Sequence, residues 1–406
     1  MTAAATDVPL NLRNLDGREM AAALARFGVA ADVARRVFAA VHRDGVSSIL
    51  GAQPNIRGLS RDVARAIDAA VEWPVLDIIE RRRASDGFFK YLFRLNDDAG
   101  AGTGPAIEAV RIPLPDPAEA RALREARREG RAPAGLQALP TAKYTVCLSS
   151  QAGCALACDF CATGRLGGIR SLEAWEIVAQ LRAIAAEAEA PVRGVVFMGM
   201  GEPLLNAANV LRAARIFSDP AGPAIGAKAI SISTAGVVPA IRRYTAERHP
   251  YRLVFSLGAP TTEARLRLMP IERRWPLTEL IPAIREYAEA TRTRVTIAYV
   301  AIKGVNTSPE DARQLAALLG DLRVKVNLID VSDETGRYQP PDADELDAFR
   351  DALDRELGVP VVRRYSGGKD IGAACGTLSA SRAGGTAVEA ETPAAPDALR
   401  RLSVFG

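Results

Sequence analysis

The chain has 406 residues, 48% of them apolar and 25% charged, with a net charge of +4. That is the composition of a globular protein, long enough for one large barrel with an appended small domain or for two or three domains. No run approaches the roughly 20 apolar residues of a membrane span. The start, "MTAAATDVPLNLRNLDGREM", lacks a basic segment followed by an apolar core, so a cytoplasmic protein with no membrane partner is expected.

Residues 13–85 carry apolar positions at helical spacing in "MAAALARFGVAADVARRVFAAV" and "SRDVARAIDAAVEWPVLDIIE", which predicts a small helical domain over 1–85. "FFKYLFRLND" and "AIEAVRIPL" alternate and pair as strands across "DAGAGTG". With the Pro-flanked, Arg-rich helical stretch "DPAEARALREARREGRAPAG" they form a linking segment over 86–143. From Tyr144 the pattern becomes short apolar runs ("YTVCLSS", "GVVFMGM", "AISIST", "LVFSLG", "VTIAYVAI", "KVNLID", "VPVVRRY") separated by helical stretches. Strands alternating with helices imply right-handed crossovers and a parallel sheet. The expected fold class is α/β, a partial or complete (βα) barrel over 144–380, with ligands at the carboxyl ends of its strands. The Ala-, Pro- and Thr-rich tail, 381–406, is expected to be a flexible end. Three Arg-rich stretches (79–94, 121–131 and 361–369) are candidate nucleic-acid contacts, although a solvated face is the default reading of such a charge run.

The chain has five cysteines, and four of them fall in "CLSSQAGCALACDFC", 147–161; the fifth is Cys375. An odd number clustered in this way does not suggest an extracellular disulfide framework. Cys154, Cys158 and Cys161 have the spacing CxxxCxxC directly after the first strand of the parallel set. Three thiolates on one loop can bind iron or zinc, but a structural zinc site wants a fourth Cys or His. The only histidines are His42 and His249, both remote in sequence. Three ligands on a four-iron cluster leave one iron open to a substrate or cofactor. Further candidates fall at later strand ends. "MGMGEP" offers Gly201, which lets a backbone approach a ligand, and Glu202, which can accept from an ammonium. "SISTAGVVPAI" offers Ser233, a hydroxyl suited to ribose or carboxylate, and "SLGAP" offers Ser256, Leu257 and Gly258. Each can also be read as turn chemistry.

The cysteine spacing, the aromatic in "CDFC" and the preceding strand resemble the radical S-adenosylmethionine (SAM) superfamily. That resemblance implies a 4Fe-4S cluster on Cys154, Cys158 and Cys161 whose open iron chelates the amino and carboxylate groups of SAM. It also implies a low-potential electron donor, such as flavodoxin or ferredoxin, for cleavage of SAM to a 5′-deoxyadenosyl radical. From Tyr144 to Ser379 the chain is similar, more narrowly, to the RlmN/Cfr-type RNA methyltransferases, and closer to the RlmN type. The stretches that carry this are "CLSSQAGCALACDFCATGRLGG", "VVFMGMGEPLLN", "ISISTAGVVPAI", "RLMPIERRWPL" and "DIGAACGTLSA".

The narrower resemblance implies methylation of an sp² carbon of adenine, C2, in 23S rRNA or tRNA, with RNA as the partner. In this scheme Cys375 takes a methyl group from one SAM, and the radical from a second SAM activates that methyl carbon to add to the ring. Cys147 assists proton loss and forms a disulfide with Cys375 that releases product, and Glu108 is a proton acceptor. SAM contacts are implied at Gly201, Glu202, Ser233, Ser256, Leu257, Gly258 and Ser332. Two of these depart from the family pattern: Gly258 stands where His is usual, and Ser332 where Asn is usual. The insertion at 115–140 has no expected counterpart. These departures bear on the substrate and leave two rivals: the same chemistry on a small molecule or peptide, and an iron–sulfur or zinc RNA-binding protein without catalysis.

Overall fold

The computed structural model describes residues 9–52, 55–97, 100–119, 121–122 and 140–380. Most of the Arg-rich insertion and the whole tail therefore lie outside the described residues.

A ten-stranded sheet organises the chain. Its first three strands are β1 (Asp77–Arg83), β2 (Phe89–Arg94) and β3 (Ala106–Pro115), which form an antiparallel meander. β3 pairs antiparallel with β4 (Thr141–Cys147), and β4 opens the parallel set. A separate two-stranded hairpin, β5 (Gln151–Gly153) with β6 (Gly168–Ser171), brackets the cysteine loop. The main sheet then continues through β7 (Val192–Phe197), β8 (Ile230–Thr234), β9 (Arg252–Ser256), β10 (Val295–Ala301), β11 (Val324–Asp330) and β12 (Val361–Arg364). The order β1-β2-β3-β4-β7-β8-β9-β10-β11-β12 keeps β4 and β7 to β12 parallel and leaves β12 on an open edge, so the barrel is partial.

These strands follow from their composition. Val146, Val195, Phe197, Ile230, Ile232, Phe255, Ile297, Val326 and Leu328 are buried, as in a parallel sheet with both faces covered. Each such side chain contributes about 1.5–3 kcal/mol by leaving water. Helices Ala174–Ala186, Ala207–Ser218, Val238–Ala246, Leu277–Thr291, Pro309–Leu319 and Ala343–Leu357 form the crossovers.

The N-terminal helices dock on this outer layer. Helix Gly17–Ala25 starts at a capping box formed by Asp16 and Glu19. The same carboxylates reach across, Asp16 to Arg215 at 2.7 Å and Glu19 to Arg212 at 2.9 Å, on helix Ala207–Ser218. The Trp175 amide donates to Asn14 Oδ1 at 3.0 Å, which ties the N-terminus to helix Ala174–Ala186. One helical expectation is corrected. Helix Arg61–Ala70 stops before "VEWPVLDIIE", and Asp77–Arg83 is a strand. Pro74 lacks an N–H and disfavours the helical conformation at Trp73, so the chain runs on extended. Among the described residues no helix is long and apolar enough to cross a membrane.

Candidate active site

The C-terminal ends of β4 and β7 are stitched together. The Gly199 amide donates to Leu148 O at 3.1 Å, the Ser150 amide to Met200 O at 2.8 Å, and the Glu202 amide to Gln151 Oε1 at 2.9 Å. Gly201 has φ +96°, and a Cβ there would lie 2.5 Å from Gln151 Cβ. Only glycine lets the "MGMGEP" turn press onto the segment that leads into the cysteine loop.

Within that loop the Cys154 amide donates to Gly167 O at 2.7 Å and the Cys161 amide to Cys158 O at 3.1 Å. Ala157, between the first two cysteines, is held at φ +51°, a left-handed conformation that costs a non-glycine residue about 1–2 kcal/mol. All three thiols are half-buried and free. Burial, with the charge of neighbouring cysteines, pushes Cys154 up to about 12 and Cys158 well above the ordinary thiol range. Thiols raised this far ionise only when a cationic centre binds them. Among the described residues no three Cys, His, Asp or Glu groups converge about a single ion. Three thiols on one loop, without the fourth Cys or His that a structural zinc site wants, are a donor set that would suit an iron–sulfur cluster.

Glu202 is buried, and its carboxylate accepts from the Leu204 amide at 3.0 Å and the Ala235 amide at 2.8 Å. Burial pushes it up to about 7 against these bonds. The Ala235 carbonyl in turn accepts from Arg265 Nη2 at 2.5 Å, and the Leu257 carbonyl accepts from Arg265 Nε at 2.9 Å. Arg265 also pairs with Glu272, so a fully buried polar spine joins the loops after β7, β8 and β9. Ser233 and Ser256 sit on this edge with their hydroxyls 3.4 Å apart. Gly258 has φ +73°, and a Cβ there would lie 2.4 Å from Met269 Sδ. Ser332 Oγ is buried without a hydrogen bond. Its segment is held over the cysteine loop by Asp159, which accepts from Arg337 at 2.7 Å and from the Tyr338 hydroxyl at 2.5 Å.

The remaining two cysteines share one cavity of about 370 Å³. Cys147 ends β4 on one wall. Cys375 lies on a strap, residues 365–380, that crosses from the β12 edge. The strap is fixed by bonds from the Ala162 amide to Gly376 O (2.8 Å), from Thr163 Oγ1 to Leu378 O (2.6 Å) and from the Cys375 amide to Ser366 Oγ (2.9 Å). Ala162 and Thr163 directly follow Cys161, so the strap and the cysteine loop are one assembly. Burial and the facing Cys375 push Cys147 up to about 12. The surrounding walls and Cys161 push Cys375 up to about 11, opposed by Arg364, although Cys375 itself opens to solvent through the cavity. All five cysteines are free thiols, so the expected Cys147–Cys375 disulfide is not a standing part of the fold; the cavity separates the two elements that carry them.

Glu108, the expected proton acceptor, lies on β3. It is fully buried, its Oε1 3.0 Å from Lys90 Nζ, and its Oε2 accepts from the Ser379 amide at 2.9 Å. Lys90 also donates to Gly372 O at 3.2 Å. The pair anchors the strap and does not line the cavity. In the Arg-rich stretch at 79–94, Arg81 pairs with Glu187 and Arg82 with Glu80. Arg364, from the third stretch, does line the cavity.

Residues 148–319 match the radical SAM superfamily. A probable RNA methyltransferase from Myxococcus xanthus is 50% identical over 95% of this chain and 99% of its own length. A dual-specificity RNA methyltransferase RlmN from Syntrophobacter fumaroxidans is 39% identical over 86% of this chain and 91% of its own. A crystal structure of a radical SAM methyltransferase from Sphaerobacter thermophilus, 35% identical, covers 92% of this chain and 100% of its own with a TM-score of 0.76.

Proposed function

The chain belongs to the RlmN-type radical SAM RNA methyltransferase family, and on that footing we propose that it methylates C2 of an adenine in 23S rRNA or tRNA through a methyl group carried on Cys375. One observation carries this reading: the two cysteines outside the CxxxCxxC loop open into a single cavity beside it. Cys154, Cys158 and Cys161 would hold the 4Fe-4S cluster. When bound, the cluster supplies the electron, delivered by a low-potential donor such as flavodoxin or ferredoxin, that cleaves SAM to a carbon radical. Gly201, Glu202, Ser233, Ser256, Leu257, Gly258 and Ser332 would orient SAM at the strand ends.

Adenine C2 is not nucleophilic, which is why a protein sulfur carries the carbon. The Cys375 thiolate attacks the SAM methyl; its sulfur–carbon bond forms as the sulfonium–carbon bond breaks, leaving S-adenosylhomocysteine. Arg364 beside both thiols favours the ionised sulfur. Joining the carbon to the base would cost the methyl group one hydrogen atom, taken by the SAM-derived radical, and the adduct one electron, returned to the cluster, and one ring proton, taken by Cys147. Attack of the deprotonated Cys147 sulfur on the Cys375 sulfur would form the S–S bond as the Cys375 sulfur–carbon bond breaks, its electron pair and a solvent proton completing the product methyl group, and an external thiol would reduce the disulfide and reset the site. Lys90 and Glu108 keep Cys375 in place by holding the strap. RNA would be gripped mostly through phosphates and shape.

Mass spectrometry of rRNA and tRNA from cells with and without the gene tests the reading. 2-Methyladenosine should disappear with the gene, and the purified protein should carry one methyl mass on the Cys375 peptide. An unchanged nucleoside profile with an unmodified Cys375 would overturn it.

Glu202 makes a second expectation. An ammonium set against its carboxylate would draw the pKa down from about 7 towards the ordinary carboxylate range. SAM binding near pH 7 should therefore release part of a proton, and affinity should rise as pH increases through about 7. Calorimetry of the cluster-loaded protein in two buffers of different ionisation enthalpy measures this. Glu202→Gln should remove the linked proton. If wild type and Glu202→Gln release the same amount, Glu202 does not face the ammonium.

A further inference from the structure

Alternate residues of a strand share a face. In β9, β10 and β11 the cavity that holds Cys147 and Cys375 is lined by Val254, Ala298 and Ile329. Arg252 precedes Val254 by two positions and Lys325 precedes Ile329 by four, so both fall on that face at the amino ends of their strands. Arg294 stands immediately before β10, and Arg364, the last residue of β12, lines the cavity itself. The four cations lie within reach of one another: after burial, the charges of Arg364, Arg252 and Arg294 pull the Lys325 ammonium below its ordinary value. Arg252, Arg294 and Arg364 are exposed, and among the described residues none of the four has a carboxylate partner. Elsewhere on the barrel such side chains are paired: Arg242 with Glu286, Arg285 with Asp321, Arg313 with Glu310, and Arg363, next to Arg364, with Asp330. Gathering unpaired like charges is unfavourable, and an anion held among them offsets that cost.

We propose that the RNA strand reaches the thiols from the amino end of the barrel, with Arg252, Arg294, Lys325 and Arg364 holding the phosphates that flank the inserted nucleotide. This rests on the reading above, in which RNA is the substrate. The cavity lining extends from Met198, Cys147 and Cys375 to Leu114 and Pro115, which pair with Lys143 and Thr141 at the amino end of β4. At the carboxyl end the strap is bonded to the cysteine loop. The walls between are largely apolar, with Val110, Ile112, Val196, Met198, Val254 and Ile329 among them. Such walls suit a base, and burying a phosphate against them would be costly. A nucleotide inserted there leaves its charged backbone at the mouth, where the cations stand. Contacts of this kind fix the position of the strand and carry no sequence information, so the choice of nucleotide is left to the cavity.

Binding of the full cluster-loaded chain to tRNA from cells lacking the gene, measured over a range of KCl concentrations, tests the path. Each phosphate contact to a single strand contributes about 0.7 to the slope of log affinity against log salt. A triple variant with Arg252→Gln, Arg294→Gln and Lys325→Gln should therefore lose about 2 from that slope and bind roughly tenfold to a hundredfold more weakly at about 0.15 M salt. Its iron content and melting temperature should stay at wild-type values, and Arg294→Gln alone, at an exposed position, should lose about 0.7. A second triple variant, with Arg242→Gln, Arg285→Gln and Arg313→Gln, makes the same change in net charge on paired side chains and should keep the wild-type slope. If the second variant loses as much slope as the first, or the first loses none, the entry path falls and the RNA reading stands. If wild type shows no salt-dependent binding to this RNA, nothing grips it through phosphates, and both readings fall together.

Discussion

Cys375→Ala protein, loaded with iron and given SAM and RNA, is expected to transfer no methyl group while keeping its iron content and brown chromophore. The two parts of this result come from two separate sets of sulfurs. Cys154, Cys158 and Cys161 sit on the loop bracketed by β5 and β6, whereas Cys375 reaches the site on a strap more than two hundred residues later. Removing the strap thiol leaves the loop's hydrogen bonds, from Cys154 to Gly167 and from Cys161 to Cys158, untouched. The lost step is covalent, so a methyl side chain at 375 cannot carry it at a reduced rate. Cys147→Ala should fail differently. With Cys375 able to take the methyl and no partner able to attack its sulfur, RNA should remain attached to the protein through Cys375 and migrate with it on a denaturing gel. Loss of iron from Cys375→Ala would make Cys375 a cluster ligand and end the division of roles. Normal turnover by Cys147→Ala would remove the second thiol from the mechanism.

The seven apolar runs from Tyr144 onward were legible because strands buried on both faces need little besides β-forming apolar residues, and each became one strand of the parallel set. The cysteine loop was legible because its spacing is local. β1 was not: "VLDIIERRR" ends in charge and has no clean alternation, and its pairing with β2 is settled by tertiary contacts. The short β5–β6 hairpin was missed for the same reason, since its register is fixed by the loop it encloses. Glu108 shows where a motif stops informing. Its position on β3 could be read, but its ion pair with Lys90 and its bond to Ser379 depend on the strap folding back over the meander. Arg265 gave no sequence signal, being an arginine in an amphipathic helix; burial and hydrogen bonding alone set it apart.

Arg265→Ala is expected to cost about 3–5 kcal/mol of stability and most of the affinity for SAM. Arg265 is fully buried, and its guanidinium is shared between Glu272 and the carbonyls of Ala235 and Leu257. Burial pulls its pKa down, and Glu272 counteracts that pull. Truncation leaves Glu272 buried without its cation, the most destabilising way to break such a pair. Against a total stability of about 5–15 kcal/mol, the loss would be plain in a urea titration. The effect on SAM has a separate origin. Ala235 also supplies an amide to Glu202, so the spine sets the relative positions of the turns that follow β7, β8 and β9. A double substitution separates the two effects. Arg265→Met with Glu272→Leu removes both charges and should recover much of the stability, because a buried ion pair contributes little over apolar residues of similar volume. It does not restore the bonds to Ala235 and Leu257, so SAM should still bind weakly. If the double variant regains SAM affinity along with stability, the spine supports the fold without shaping the site.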